Sequence, residues 1–321
     1  MGLAGSLFSR KFCMASTVLF VGDVNVDLNF SGLKQNPVPD KEIQASGFEV
    51  VIGSSAAIAA VAHASLGGKT AFVGLAGDDE YGRFMKTKMS EAGVDVAGIR
   101  LKADLRTGVT VNLVAGQTRT QVTYPGAIPR LRPSFADFTG FKDLRHVHFA
   151  GIYQQTDLLP ELSGLIGQLK KTGVTVSVDP QWDESEKWLF ADQWLGLADV
   201  VFVNADEALS LSGNGTLGDA IEALSARCTF LIVKSGAGGA VLREAGKEYR
   251  VAGHRVDLVD SIGAGDNFAA GFLFARLEKG LDLPSSLSYA NAAAARSCCF
   301  SGGTGARSQD SDIVHFLEET K

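Results

Sequence analysis

Thr17 to Val21 is an unbroken apolar run closing on Gly22-Asp23, the pattern of a strand buried on both faces that delivers its C-terminal end to a site. The next stretch does not switch to a helical period. From Leu28 to Val50 the alternation is strand-like and interrupted by Pro37 and Pro39. From Thr107 to Tyr124 two alternating runs flank Ala115-Gly116-Gln117, a hairpin signal. Together these pieces predict a small β layer beside a main sheet. Between them, Ser54 to Leu66 is an Ala-rich helix ending at Gly67-Gly68. Thr70 to Leu75 reads as a strand, and Glu80 to Ala92 as an amphipathic helix stopped by Gly93.

The βα alternation resumes after the hairpin. Strands are predicted at His146 to Ala150, Val174 to Val178, Val200 to Val203 and Phe230 to Val233. Helices are predicted at Leu158 to Lys171, near Glu184 to Leu195, at Ala205 to Leu211 and at Leu217 to Ala226. A turn at Gly236 to Gly239 leads through strand-like segments to Val259, and helices Ala264 to Glu278 and Leu283 to Phe300 close the pattern. Such alternation predicts an α/β fold whose mostly parallel sheet is covered on both faces. With no internal repeat or low-complexity linker, residues 17–321 read as one domain, its lid formed by about 28–50 and 106–125. The first sixteen residues, MGLAGSLFSRKFCMAS, hold a second Met at position 14 and are set apart as an extension.

Composition narrows the partners. Hydrophobic residues make up 45% and charged residues 21%, ordinary for a folded chain; the formal charge is −6 and no basic run is present, which argues for a small-molecule partner and against nucleic acid. Cys13, Cys228, Cys298 and Cys299 have no zinc-ligand spacing and read as reduced thiols of a cytoplasmic protein. The most apolar stretches, Val50 to Leu66 and Ala290 to Phe300, carry His63 or Arg296 and fall short of a membrane span.

In sheets of this kind ligands bind beyond the C-terminal strand ends. The strongest local signal there is Val259-Asp260-Ser261-Ile262-Gly263-Ala264-Gly265-Asp266-Asn267-Phe268, read as a strand running into a helix. Gly263, Ala264 and Gly265 let the backbone approach a ligand, and the free N–H groups of the first helical turn would stabilise charge on a transferring phosphoryl group. Asp266 lies in that turn, where it can face an acceptor hydroxyl, or simply favour a helix N-terminus.

This segment is similar to the C-terminal signature of the ribokinase-like carbohydrate kinases, the phosphofructokinase B family, and the similarity covers nearly all of residues 17–320. It implies a three-layer α/β/α sandwich with a β-sheet lid, ATP and Mg²⁺ as cofactors, and a sugar or sugar derivative as substrate. Gly22-Asp23-Val24-Asn25-Val26-Asp27 resembles the family's first-strand segment, which implies that Asp27, assisted by Asn25, grips sugar hydroxyls. Gly53-Ser54 resembles the glycine pair that approaches the sugar. Asn204-Ala205-Asp206-Glu207 matches the motif that positions Mg²⁺ through water; Lys234-Ser235-Gly236 with Gly239 resembles the nucleotide loop, and Asn291 the helix beside the adenine. The resemblance also suggests K⁺, with Asp260, the carbonyl of Ile262 and, more weakly, Gly303 as ligands. Each position has a plainer alternative: Asp27 as a turn cap, Asn204 with Glu207 as a capping box, Asn291 as a buried amide bonded to backbone.

The mechanism so implied is in-line transfer of the γ-phosphate, with Asp266 as general base and the lid excluding water. Departures bear on the substrate. Ile52 replaces a glycine, Ala57 stands where an Asn usually bonds the sugar, and Pro180-Gln181-Trp182-Asp183 lacks the usual Asn and Arg. Arg119, Gln121 and Tyr124 are the lid residues expected to choose the acceptor, and dimerisation through the lid strands is expected to protect their edges. A nucleoside kinase would need aromatic groups such as Phe48, Tyr124 and Tyr153 around a base. A sensor without activity would not need Asp266. A dinucleotide fold and a Walker A loop both fail, the first because Phe268 takes the place of the third glycine, the second because Gly68-Lys69-Thr70 precedes a strand.

Overall fold

The computed structural model describes residues 17–116, 118–135, 138, 140–141 and 143–320; Cys13, the rest of the N-terminal extension and Gln117 of the hairpin lie outside them. Nine strands form one sheet: β1 (Thr17–Val21), β4 (Thr70–Gly77), β5 (Asp95–Lys102), β8 (Leu144–Ala150), β9 (Thr175–Asp179), β10 (Val200–Asn204), β11 (Phe230–Lys234), β12 (Ala240–Glu244) and β13 (Lys247–Val251), in the order β13-β12-β11-β10-β9-β8-β1-β4-β5. From β11 to β5 every neighbouring pair is parallel, and β12 and β13 add an antiparallel edge.

Alternation along β1 builds the two faces of a three-layer sandwich. Leu19 and Val21 join the apolar cluster of helix α3 (Leu162–Lys171) and helix α6 (Leu217–Ser225), while Val18 and Phe20 join that of helix α1 (Ser55–Ser65) and helix α7 (Ala264–Leu277). Beneath the site, His146 and His148 share the Ser177 hydroxyl at 2.7 Å each, and burial holds both imidazoles below their ordinary value, His148 at about 4.

A separate four-stranded sheet, ordered β3-β2-β6-β7, comprises β2 (Asn25–Ser31), β3 (Gly47–Ile52), β6 (Gly108–Ala115) and β7 (Thr118–Tyr124). Its register puts Leu28, Val50, Val111 and Val122 in one cross-strand row, and Asp27, Thr110 and Thr123 in the next. One face is therefore apolar and the other polar.

The structure corrects four expectations. The lid strand begins at Asn25, so Asn25 and Asp27 belong to the lid. Residues 184–190 are turns, and helix α4 is only Ala191–Trp194: Asp183 caps the turn by accepting from Ser185 N at 2.9 Å and Trp188 N at 2.7 Å. Trp188 and Trp194 are both buried, but irregular backbone carries the first of them there. No strand precedes Gly263; Val259 is exposed, and its N–H donates to Cys298 O at the end of helix α8 (Leu283–Ser297), where the expected helix to Phe300 stops three residues early. Helix α2 (Glu80–Glu91) forms where expected, whereas strand β5 and a last helix, α9 (Asp310–Glu319), were not anticipated.

Candidate active site

A cavity of about 750 Å³ lies between the polar face of the lid and the C-terminal ends of the central strands. On its floor Gly263 adopts φ +72°, and a Cβ there would sit 2.7 Å from Gly303 Cα and 2.9 Å from Ile58 Cγ2, so only glycine makes this turn without strain. Helix α7 starts on it and brings Asp266, 7% exposed, into its first turn. A Cβ on Gly265 would approach Lys234 Nζ to 3.1 Å, which puts the ammonium directly against the turn.

Lys234 ends β11 and Asp179 ends β9, and the two form an ion pair of 2.5 Å whose side chains are only 12% and 1% exposed. Burial alone would lower the Lys234 amine, but Asp179, Glu207 and Asp266 outweigh it and hold the amine above its ordinary value. Asp266 is pushed up to about 8, first by burial and then by the charge of Asp179. The same two causes lift Glu207 to about 7, and burial lifts Asp23 and Asp27 to about 6. One ammonium thus faces an excess of carboxylates.

Towards the lid, Asn25 Nδ2 donates to Asp27 Oδ1 at 3.2 Å and Thr110 Oγ1 at 3.3 Å. Gly53 permits this closeness, because a Cβ would lie 2.2 Å from Asp27 Oδ1. The Ser54 hydroxyl donates to the Asp23 carbonyl at 2.8 Å and accepts from Ala57 N at 3.1 Å, so it caps α1 while lining the cavity. Arg119, Gln121 and Thr123 of β7 also line it. Tyr124 does not: the strand alternation turns it to the apolar face, where it is 56% exposed. Phe48 and Tyr153 stand away from the cavity as well, Tyr153 packing edge-on to Trp188.

The remaining expected residues lie where their motifs indicated, several with structural bonds. Asn204 and Glu207 make a reciprocal capping box, Oδ1 and Oε2 each accepting a backbone N–H at 2.8 Å, and both line the cavity. Gly236 and Gly239 line it too. Ser235 holds their turn, its N–H donating to Gly239 O at 2.8 Å, without reaching the lining. Asn291 Nδ2 donates to Ala252 O at 2.7 Å. Asp260 accepts from Ile262 N and Gly302 N, both at 2.9 Å, and Gly303 O accepts from Asn267 Nδ2 at 2.9 Å. Each of those oxygens keeps a further lone pair. Ala57 is fully buried in the core, so the amide that usually occupies its position has no counterpart there.

Several contributors were not singled out from sequence, among them Asp179 at the end of β9 and Thr110 and Thr123 of the lid. Asp23 was noted only as part of a strand end, and nothing short of three-dimensional proximity places Gln181 Nε2 3.3 Å from Asp266 Oδ1.

Residues 15–310 match the model of the pfkB family carbohydrate kinases. The chain belongs to that family. It is 34% identical over 80% of its length to aminoimidazole riboside kinase of Salmonella typhimurium, covering 80% of that protein. It is 31% identical over 94% of its length to the ATP-dependent ribose-1-phosphate kinase of Halopiger xanaduensis, covering 98%. The crystal structure of the Salmonella enterica aminoimidazole riboside kinase, complexed with aminoimidazole riboside and an ATP analogue, superposes with a TM-score of 0.78 at 28% identity, over 94% of this chain and 100% of that one. As a pfkB family member this chain is an ATP-dependent sugar kinase with the ribokinase-like fold. Among the described residues no helix is long and apolar enough to cross a membrane.

Proposed function

We propose that the enzyme transfers the γ-phosphate of ATP to a hydroxyl, a primary hydroxymethyl group by preference, of a small sugar or sugar derivative, with Asp266 taking the proton. The observation that carries this reading is the placement of Asp266 in the first turn of α7, beside Lys234 and below Asn25 and Asp27 of the lid. A sugar held by Asn25 and Asp27, with Gly53, Ser54, Gln121 and Thr123 around it, would present a hydroxyl to Asp266. The N–H groups of Gly263, Ala264 and Gly265 would receive the phosphoryl oxygens. Lys234, Gly236, Gly239 and Asn291 would bind the nucleotide.

A triphosphate can approach so many carboxylates only with a divalent cation. The donor set fits Mg²⁺: Glu207 Oε1 and the second lone pair of Asn204 Oδ1 remain beyond the capping box, and hard oxygen ligands suit a partly hydrated ion. When bound, Mg²⁺ would neutralise charge on the transferring group. K⁺ at Asp260, Ile262 O and Gly303 O is compatible with their free lone pairs and is proposed as an activator; equal rates in Na⁺ and K⁺ would remove it. A nucleoside acceptor is the second reading, supported by the riboside kinase relative, although Phe268 is the one aromatic side chain lining the cavity among the described residues. We also propose a cytoplasmic homodimer joined through the apolar lid face, where Phe48 and Val122 are exposed. A monomeric mass in solution would count against it.

ADP release from MgATP across ketoses, pentoses, sugar acids and nucleosides tests the activity. Turnover with one acceptor class is expected. If no acceptor works while ATP or a sugar still raises the melting temperature, a sensor function replaces the kinase reading.

A further inference from the structure

The segment after β9 is built in an unusual way. Four of its non-glycine residues take left-handed backbone, Gln181 (φ 60°), Glu186 (54°), Trp188 (47°) and Phe190 (65°), a conformation that persists only where the surroundings impose it. Here they do. Buried Asp183 accepts from Ser185 N, Ser185 Oγ and Trp188 N, and Trp188 Nε1 donates to Ser210 Oγ at 2.8 Å, which ties the loop to helix α5 (Ala205–Ser212). Trp182 packs edge-on to Trp188.

What this loop delivers to the cavity is the carboxamide of Gln181. Its Nε2 lies 3.3 Å from Asp266 Oδ1 and 3.4 Å from Asp179 Oδ1, so one amide can give a hydrogen to each of two carboxylates that otherwise repel. A base works only if one oxygen is aimed at the proton it removes, and Asp266 has two side-chain torsions to fix. We infer that Gln181 is a positioning residue for phosphoryl transfer: it anchors Oδ1 of Asp266 so that the carboxylate is aimed at the acceptor hydroxyl. The inference rests on Asp266 being the base.

The test compares wild type, Gln181→Leu, Asp266→Asn and the double variant with MgATP and the working acceptor. A misaimed base should cost Gln181→Leu roughly 10- to 100-fold in kcat, with KM for ATP within about threefold. If Gln181 acts through Asp266, the double variant is no slower than Asp266→Asn alone, because there is no base left to aim. Gln181→Asn, at ease with positive φ but one methylene too short, should show the same loss and guards against a misfolded leucine variant. A kcat within twofold of wild type in both Gln181 variants, or losses that multiply in the double variant, overturns the inference and leaves the kinase intact. A wild type without turnover on the whole acceptor panel overturns the kinase reading itself, and this inference with it.

Discussion

Asp266→Asn is expected to lower kcat roughly 10³-fold while leaving KM for ATP nearly unchanged, the size of effect a positioned general base supplies. Asn has the shape of Asp and can keep the hydrogen bond to Gln181 by presenting its carbonyl oxygen, but it cannot take a proton. The same substitution should make the ligand-free protein more stable at alkaline pH. Burial and the charge of Asp179 raise Asp266 from 3.8 to about 8 in the folded protein. A group raised on folding favours the folded state fully below its unfolded value and loses that contribution as pH rises through the folded one. Wild type therefore carries a buried, crowded negative charge above pH 8 that the amide lacks. Urea unfolding should find the variant more stable than wild type at pH 8 to 9, with the gap closing towards pH 4, where both side chains are neutral. A variant slower by less than tenfold would show that the proton leaves by another route.

Lys234→Met is expected to be the most damaging single change to stability among the site residues. It removes the ammonium paired with Asp179, whose side chain is 1% exposed, and a buried carboxylate stripped of its partner costs about 3–5 kcal/mol. The charges of Glu207 and Asp266 nearby would no longer be offset. Thermal unfolding should show a fall of roughly 5–10 °C in Tm. Adding Asp179→Asn should restore more than half of that loss, since the unpaired charge is then gone, but not turnover, because the nucleotide still lacks its cation. Equal melting temperatures for wild type and Lys234→Met would mean that Asp179 finds other partners.

Most of the scaffold was legible because period carries burial. The apolar runs of β1, β8, β9, β10 and β11 are strands buried on both faces, and their ends hold the candidate site. Legibility failed where irregular backbone does the work of a regular element. Trp188 and Trp194 mark true core positions, but the turns capped by Asp183 cannot be told from a helix by spacing alone. Val259 reads as β-type yet finds its backbone partner at the end of α8.

Within the site, short motifs located Asp266, Gly263 and Asn204. Their engagement was not legible, since a capping box and an ion-binding pair share the same letters. Tyr124 was misplaced for a simple reason. Without the register of β6 and β7 the parity of a lid strand is unknown, and parity alone separates the cavity-facing Thr123 from the outward Tyr124. The pairing of Lys234 with Asp179 spans 55 positions, and Gln181 with Asp266 spans 85, distances over which a single sequence carries no signal.

The most direct test of the central claim is a crystal structure of the enzyme with its acceptor and a non-hydrolysable ATP analogue. The reacting hydroxyl oxygen is expected about 2.6–3.2 Å from an Asp266 carboxylate oxygen, with the γ-phosphate on the N–H groups of Gly263 to Gly265. A hydroxyl held instead by Asp23 or Asp179, with Asp266 out of hydrogen-bond reach, would contradict it.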